Sequence, residues 1–215
     1  MKLILVIVIV ALLLLFFLFK MKRSPIELQE IPHFLSDEEC DELIKMSEPN
    51  LFDSMVYGSD NDNVVNDVRI SKQVWFRDES PLVNKISMNC AKSTKTNKNC
   101  QEELQVVRYT EGGFFKPHFD PCEGDEKFCE RMNHGSGHRR YTVLVYLNDD
   151  FEDGETEFVN LGIKIKPEKG KAVIFKSVDD DGNIIPESRH AGVPVKNGQK
   201  WICNKWIHFK EFKPT

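Results

Sequence analysis

The sequence predicts a mainly β fold, a double-stranded β-helix or jelly roll, with flanking N-terminal helices. Three observations predict it. From Glu103 onward, short runs rich in Val, Ile, Phe and Tyr are separated by glycine turns, the texture of an antiparallel sandwich or barrel. Before Glu103, two segments carry helix-start signals followed by apolar residues at helical spacing. Once an apolar N-terminal run is set aside, roughly 190 residues remain, enough for one domain with a substantial core.

The run Leu3 to Phe19 is 17 unbroken apolar residues, with Lys2 before it and Lys20, Lys22 and Arg23 after it. At about 1.5 Å per residue it is near the lower limit for spanning a bilayer. No small-x-small cleavage pattern follows, so residues 1–24 are expected to be an uncleaved signal anchor with a basic flank, and residues 25–215 the folded domain. The flanking charges by themselves favour a cytoplasmic domain. The domain carries a formal charge near −9, because all four N-terminal basic residues precede Ser24. That charge argues against nucleic acid as a partner, since phosphate binding needs a basic face.

Ser36-Asp37-Glu38-Glu39 is a capping box, and Cys40, Leu43, Ile44 and Ser47 follow at helical spacing. Ser80-Pro81 starts a second helix with Leu82, Val83, Ile86 and Cys90 on one side. Between them Asp53 to Asp67, with Gly58, Asp60, Asn61, Asp62 and Asn63, reads as a loop. Strands are expected near Leu104–Tyr109, Phe114–Phe119, Tyr141–Leu147, Glu155–Phe158, Ile163–Ile165, Ala172–Lys176, Ala191–Val195 and Lys200–Phe209. The charged stretch Pro121 to His138 is too long for a tight turn and reads as a lid. Among the six cysteines, Cys90/Cys100 and Cys122/Cys129 are close pairs in polar stretches, compatible with local disulfides in an oxidising lumen or with reduced thiols. Cys122, Cys129, His134 and His138 form a rival zinc pattern, whose Cys gap departs from the usual spacing.

The chemistry concentrates in His118-Phe119-Asp120. On a strand, residues i and i+2 point the same way, so His118 and Asp120 share a face. H-x-D alone is a weak signal. With His190 it supplies two imidazoles and one carboxylate, the ligand set of a non-haem Fe(II) oxygenase with open positions for substrate chemistry. Lys200, ten residues further on, offers a cation for the far carboxylate of a dicarboxylic co-substrate.

The segments Phe34–Ile44, Leu104–Tyr109, Lys116–Asp120, Val143–Asn148, Gly154–Thr156, Pro167–Gly170, His190–Gly192, Lys200–Trp201 and Lys205–His208, in that order, resemble the 2-oxoglutarate-dependent prolyl 4-hydroxylases of the short plant, algal and viral type. The resemblance covers nearly the whole domain from Glu27 onward. It implies His118, Asp120 and His190 as iron ligands, Lys200 as partner of the distal carboxylate of 2-oxoglutarate, and Tyr109 and Thr156 as further hydrogen-bonding contacts of that co-substrate. It places Arg139, Trp206 and His208 near the peptide, with Arg140 adjoining Arg139. It also implies O₂ as co-substrate, L-ascorbate as cofactor, a proline-rich or collagen-like peptide as substrate, a monomeric catalytic domain, and an address in the endoplasmic reticulum with a lumenal domain. Three departures stand out. Asp153-Gly154-Glu155-Thr156 replaces Gly-Gly-Glu-Thr, His190-Ala191-Gly192-Val193 replaces His-Gly-Gly-Cys, and Phe115 replaces a common tyrosine. Two other readings remain: an oxygenase of the same fold acting on another residue or on a non-peptide substrate, and a non-catalytic module that binds proline-rich chains.

Overall fold

A computed structural model describes residues 26–54 and 68–213. The apolar run 3–19 and most of the loop expected at Asp53–Asp67 lie outside the described residues. Among the described residues, no helix is long and apolar enough to cross a membrane.

In chain order the elements are β1 (Leu28–Ile31), α1 (Asp37–Ser47), β2 (Phe52–Asp53), β3 (Arg69–Ile70), β4 (Lys72–Phe76), α2 (Pro81–Thr94), β5 (Leu104–Tyr109) and β6 (Phe114–His118). They continue with α3 (Glu126–Met132), β7 (Arg139–Tyr146), β8 (Glu152–Asp153), β9 (Thr156–Phe158), β10 (Ile163–Ile165), β11 (Ala172–Lys176), β12 (His190–Gly192), β13 (Val195–Lys196) and β14 (Lys200–His208). The strands form a seven-stranded sheet ordered β1-β11-β7-β14-β5-β4-β2, a five-stranded sheet ordered β10-β9-β12-β6-β3, and a β13-β8 ribbon. The pairings are antiparallel throughout. This is the double-stranded β-helix the sequence predicts.

The alternation of β14 explains the layering. Trp201, Cys203 and Ile207 join Leu35, Cys40 and Leu43, and Leu82, Val83, Ile86 and Cys90 of α2, in one apolar cluster. Ile202, on the opposite face, joins Val107, Tyr109, Leu144, Tyr146, Phe158 and Phe175 in a second cluster between the sheets. The helices therefore cover one face of the large sheet, and the other face is left to build a cavity. All nine residues of β14 are buried, as befits a strand paired on both sides.

Local signals account for both long helices. The capping box is formed, with Ser36 Oγ accepting from Glu39 N and Glu39 Oε2 accepting from Ser36 N. Losing such a cap costs about 1 kcal/mol. Ser80 caps α2 with Pro81 at its first position.

Several expectations need correction. Cys90 and Cys100 are not bonded, because α2 turns Cys90 fully into the core, where burial pushes its thiol up to about 12. Cys122 and Cys129 do form a disulfide, which removes them as zinc ligands. The stretch Pro121–His138 is not an open loop: Asp125 caps α3, and the disulfide ties Cys129 of that helix back to Cys122. The strand expected at Ala191–Val195 divides into β12 and β13, which join different sheets.

Candidate active site

β6 and β12 bring the motif together. They pair with His190 opposite His118, so two residues seventy-two apart in sequence become neighbours across one ladder. Asp120 lies two residues past His118. The ligating atoms of His118, Asp120 and His190 all fall within 4.8 Å of one another, the one such group of three or more His, Cys, Asp or Glu side chains among the described residues. His118 Nε2 is 3.7 Å from Asp120 Oδ1, and His190 Nε2 is 3.8 Å from Asp120 Oδ2.

Backbone contacts aim the imidazoles. His118 Nδ1 meets the Lys116 carbonyl at 2.8 Å, and His190 Nδ1 meets the Ser188 carbonyl at 3.0 Å. A carbonyl can only accept, so each Nδ1 carries its proton and each Nε2 turns a lone pair toward the centre. Burial, with His190 alongside, lowers His118 to about 3, which keeps its ring neutral. Burial opposes ionisation of Asp120, yet the two imidazoles, Arg139 and Thr142 hold its carboxyl below the usual range. Phe115 stacks on the His118 ring at 3.6 Å, and the Arg69 guanidinium lies 4.8 Å from the Phe115 ring centroid. Two imidazole nitrogens and a carboxylate, desolvated and pre-aimed, fit Fe(II).

The surrounding cavity is lined by residues of both sheets, including Tyr109, Thr156, Lys200, Thr142, Asn204 and Trp206. At one end lies Lys200, 2 % exposed, its Nζ donating to the Gly154 carbonyl at 2.6 Å. The rings of Tyr109 and Tyr146 lie 5.4 and 5.5 Å from that nitrogen. Burial drops Lys200 to about 7, only partly offset by Glu155. Tyr146 donates its hydroxyl to Thr156 Oγ1 at 2.7 Å, which fixes the threonine within the cavity wall. The Asp153 departure is accommodated, since Asp153 and Gly154 both adopt left-handed φ, of 56° and 69°. Aspartate tolerates that region better than most side chains. A Cβ on Gly154 would meet the Phe151 ring at 2.8 Å, so glycine is required only at the second position.

Against Asp120 and Trp206 sits a charge network. Glu102 accepts from Arg139 Nε and Nη2, and His208 Nε2 lies 2.8 Å from Glu102 Oε1. The other nitrogen of His208 faces the Gly137 carbonyl at 2.7 Å. The Arg139 guanidinium lies 3.9 Å from the Trp206 ring centroid and donates to the Asp120 carbonyl at 3.4 Å. Trp206 is buried with its indole N–H unpartnered among the described residues. Although burial opposes it, Arg139 and His208 hold Glu102 at about 2. Arg140 points elsewhere, pairing with Asp180.

Of the nine residues singled out from the sequence, His118, Asp120, His190, Lys200, Tyr109, Thr156 and Trp206 line one cavity, while Arg139 and His208 lie outside its lining and connect to it through Asp120, Trp206 and Glu102. The structure adds Glu102, Thr142, Tyr146 and Arg69. Glu102 precedes a strand and looks like any solvated acid. Thr142 and Tyr146 look like ordinary strand alternation.

Residues 104–208, from the first residue of β5 to the last of β14, match the family model of the 2OG-Fe(II) oxygenase superfamily. A provisionally named prolyl 4-hydroxylase of Acanthamoeba polyphaga mimivirus is 35% identical over 181 residues, covering 84% of this chain and 73% of the relative. The chain belongs to the prolyl 4-hydroxylase family. Prolyl 4-hydroxylase 2 of Arabidopsis thaliana is another relative, 35% identical over 83% of this chain and 66% of its own length. Among solved structures, the 2-oxoglutarate complex of the viral collagen prolyl hydroxylase from Paramecium bursaria Chlorella virus 1 superposes with a TM-score of 0.68. It is 33% identical, over 84% of this chain and 94% of that one. The chain is therefore a 2-oxoglutarate-dependent oxygenase that uses Fe(II), and the matched residues run from β5 to β14.

Proposed function

We propose that this enzyme hydroxylates peptidyl proline at C4 in proline-rich or collagen-like chains, coupled to oxidative decarboxylation of 2-oxoglutarate to succinate and CO₂. The observation that carries the reading is the His118–Asp120–His190 cluster in one cavity with a buried lysine that has no carboxylate partner among the described residues. In this reading His118 Nε2, Asp120 and His190 Nε2 hold Fe(II), and Lys200 with Tyr109 and Thr156 holds 2-oxoglutarate. When bound, iron and 2-oxoglutarate supply the oxidising chemistry, with one oxygen atom of O₂ passing to succinate and the other to the proline hydroxyl. L-ascorbate is the reductant typical of the family.

The chain's own residues select, orient and exclude water. Lys200 supplies the positive charge for the far carboxylate, in a wall closed by two tyrosines. Trp206 lines the cavity and lies 5.8 Å from Trp75 between ring centroids, an aromatic wall for the peptide. Proline-rich chains are already extended as polyproline II, so they lose little entropy on such a surface. Arg139 and His208 act through Glu102, which holds both in place at the substrate end.

We propose that the run 3–19 anchors the chain in the endoplasmic reticulum membrane with the domain in the lumen. Its apolar length supports the anchor, and the Cys122–Cys129 disulfide supports an oxidising compartment. Removing residues 1–24 is expected to leave solubility and turnover intact, measured on the truncated protein. Loss of the fold would place the run in the core instead.

The test is mass spectrometry of proline-rich and collagen-like peptides after incubation with Fe(II), 2-oxoglutarate and ascorbate. The expected product is 16 Da heavier at C4 of proline, an increment fixed by one added oxygen. His118→Ala and Asp120→Ala are expected to abolish metal binding and turnover while the fold persists. Wild-type turnover in either would remove the cluster from the mechanism. Hydroxylation of lysine, or of a free amino acid alone, would shift the substrate assignment.

A further inference from the structure

We infer that Thr142 is a positioning residue that sets how Asp120 offers itself to the metal; the inference rests on the iron reading above. Thr142 sits on β7 opposite Trp206 of β14, buried and lining the cavity. Its Oγ1 donates to Asp120 Oδ2 at 2.5 Å. The residue is thereby held at two points, the carboxylate at Oδ2 by Thr142 and the backbone carbonyl by Arg139, with Oδ1 3.7 Å from His118 Nε2 and Oδ2 3.8 Å from His190 Nε2. A hydroxyl bound to Oδ2 occupies lone-pair density there, so Oδ1 becomes the stronger single donor.

The consequence is one of coordination number. Two imidazoles and a one-oxygen carboxylate leave three of six positions open, and a chelating 2-oxoacid with O₂ needs all three. A carboxylate free to swing and bind through both oxygens would take one of them. Thr142 therefore guards the vacancy as well as the ligand. Partners of this kind typically change metal affinity by about 10–100-fold when removed.

The test compares Thr142→Val, which keeps the shape and loses the hydroxyl, with Thr142→Ser, which keeps the hydroxyl. Calorimetric titration with Co(II) without O₂, followed by 2-oxoglutarate on the Co(II)-loaded protein, reads both steps without turnover. Circular dichroism and thermal melting confirm the fold. The expected result for Thr142→Val is Co(II) affinity about 10–100-fold weaker, with weaker 2-oxoglutarate binding even at saturating Co(II). Thr142→Ser should restore both. Wild-type affinities for both ligands in Thr142→Val would overturn the inference, as would a loss of Co(II) affinity alone that Thr142→Ser fails to restore. Should Thr142→Val not fold, Thr142→Cys keeps the volume with a weaker donor and is expected between wild type and the values above; wild-type affinities in that variant also overturn it. If the wild-type protein binds no Co(II), the iron reading fails first.

Discussion

β14 buries two lysines to the same depth. Lys200 and Lys205 are each 2 % exposed, but they sit on opposite faces of the strand and in opposite circumstances. Lys205 faces the helices, where its Nζ lies 3.3 Å from Asp78, whose carboxylate also takes Ser87 and Lys98. Lys200 faces the cavity and, among the described residues, finds only the Gly154 carbonyl and two aromatic faces. Burying a charge without a counter-charge is costly, and proteins avoid it except where a partner arrives from outside. Lys205 is therefore part of the scaffold, and Lys200 is left for the co-substrate proposed above. The difference lies in what each face of the sheet packs against, since depth is equal and the residue type the same.

The sharpest way to break this comparison is Lys200→Ala. Loss of one partner of a buried pair costs about 3–5 kcal/mol, a few hundredfold or more in affinity. The dependence on 2-oxoglutarate should rise by that factor, while Fe(II) affinity changes much less. Separate titrations of the two ligands decide it. Lys200→Arg should also be impaired, because a planar guanidinium does not fit where a compact ammonium does.

Next in size is Glu102→Gln. It leaves Arg139 and His208 without their shared carboxylate, and a stability loss of about 3 kcal/mol is expected in denaturant unfolding. The same residue has a pH signature. Its folded pKa of about 2 lies below the ordinary carboxylate value, so its stabilisation is present above pH 4.5 and is lost as pH falls toward 2. The Gln variant should lose that part of the acid transition.

A smaller effect sharpens the Lys200 side. Lysine with a folded pKa near 7 is largely neutral above pH 7 in the unliganded protein. A dicarboxylate that pairs with the ammonium must then bind together with a proton. Affinity for 2-oxoglutarate should fall as pH rises above 7, by up to about tenfold per unit. Calorimetry in buffers of different ionisation enthalpy should show proton uptake, absent in Lys200→Ala. In the unliganded enzyme the depressed value makes stability rise with pH between about 7 and 10.5. The smallest effect belongs to Lys205→Met. With Asp78 still bonded to Ser87 and Lys98, a stability loss of about 1–2 kcal/mol is expected and no change in 2-oxoglutarate affinity.

Much of the fold is legible in the sequence. The capping box of α1, the Ser-Pro start of α2 and the strands carrying Tyr109, His118 and Lys200 follow from periodicity and turn residues, signals that depend on local spacing, whereas the strand near His190 is expected one residue late and undivided. What escaped depends on tertiary partners or on length. The strand Lys72–Phe76 and the two-turn helix Glu126–Met132 are too short for a clear period, although Asp125 is a recognisable cap. Cys90 looked available for a nearby Cys100 because spacing cannot show that a helix turns one of them inward. Glu102 is missed because its two cationic partners, Arg139 and His208, come from distant strands.

Six cysteines allow fifteen fully paired arrangements. In the folded chain Cys40, Cys90 and Cys203 are sealed in the interior, and only Cys100 keeps partial access besides the bonded pair. The core thus edits the oxidation reaction. If collapse precedes oxidation, an oxidant meets Cys122 and Cys129 beside a single competing thiol, and the native ring of the α3 segment becomes the default product. If oxidation comes first, the three core thiols are open to mispairing, and each wrong bond would hold apart the helices and sheet that should bury it. Order of events, rather than any property of the bond itself, decides the yield of correctly made enzyme.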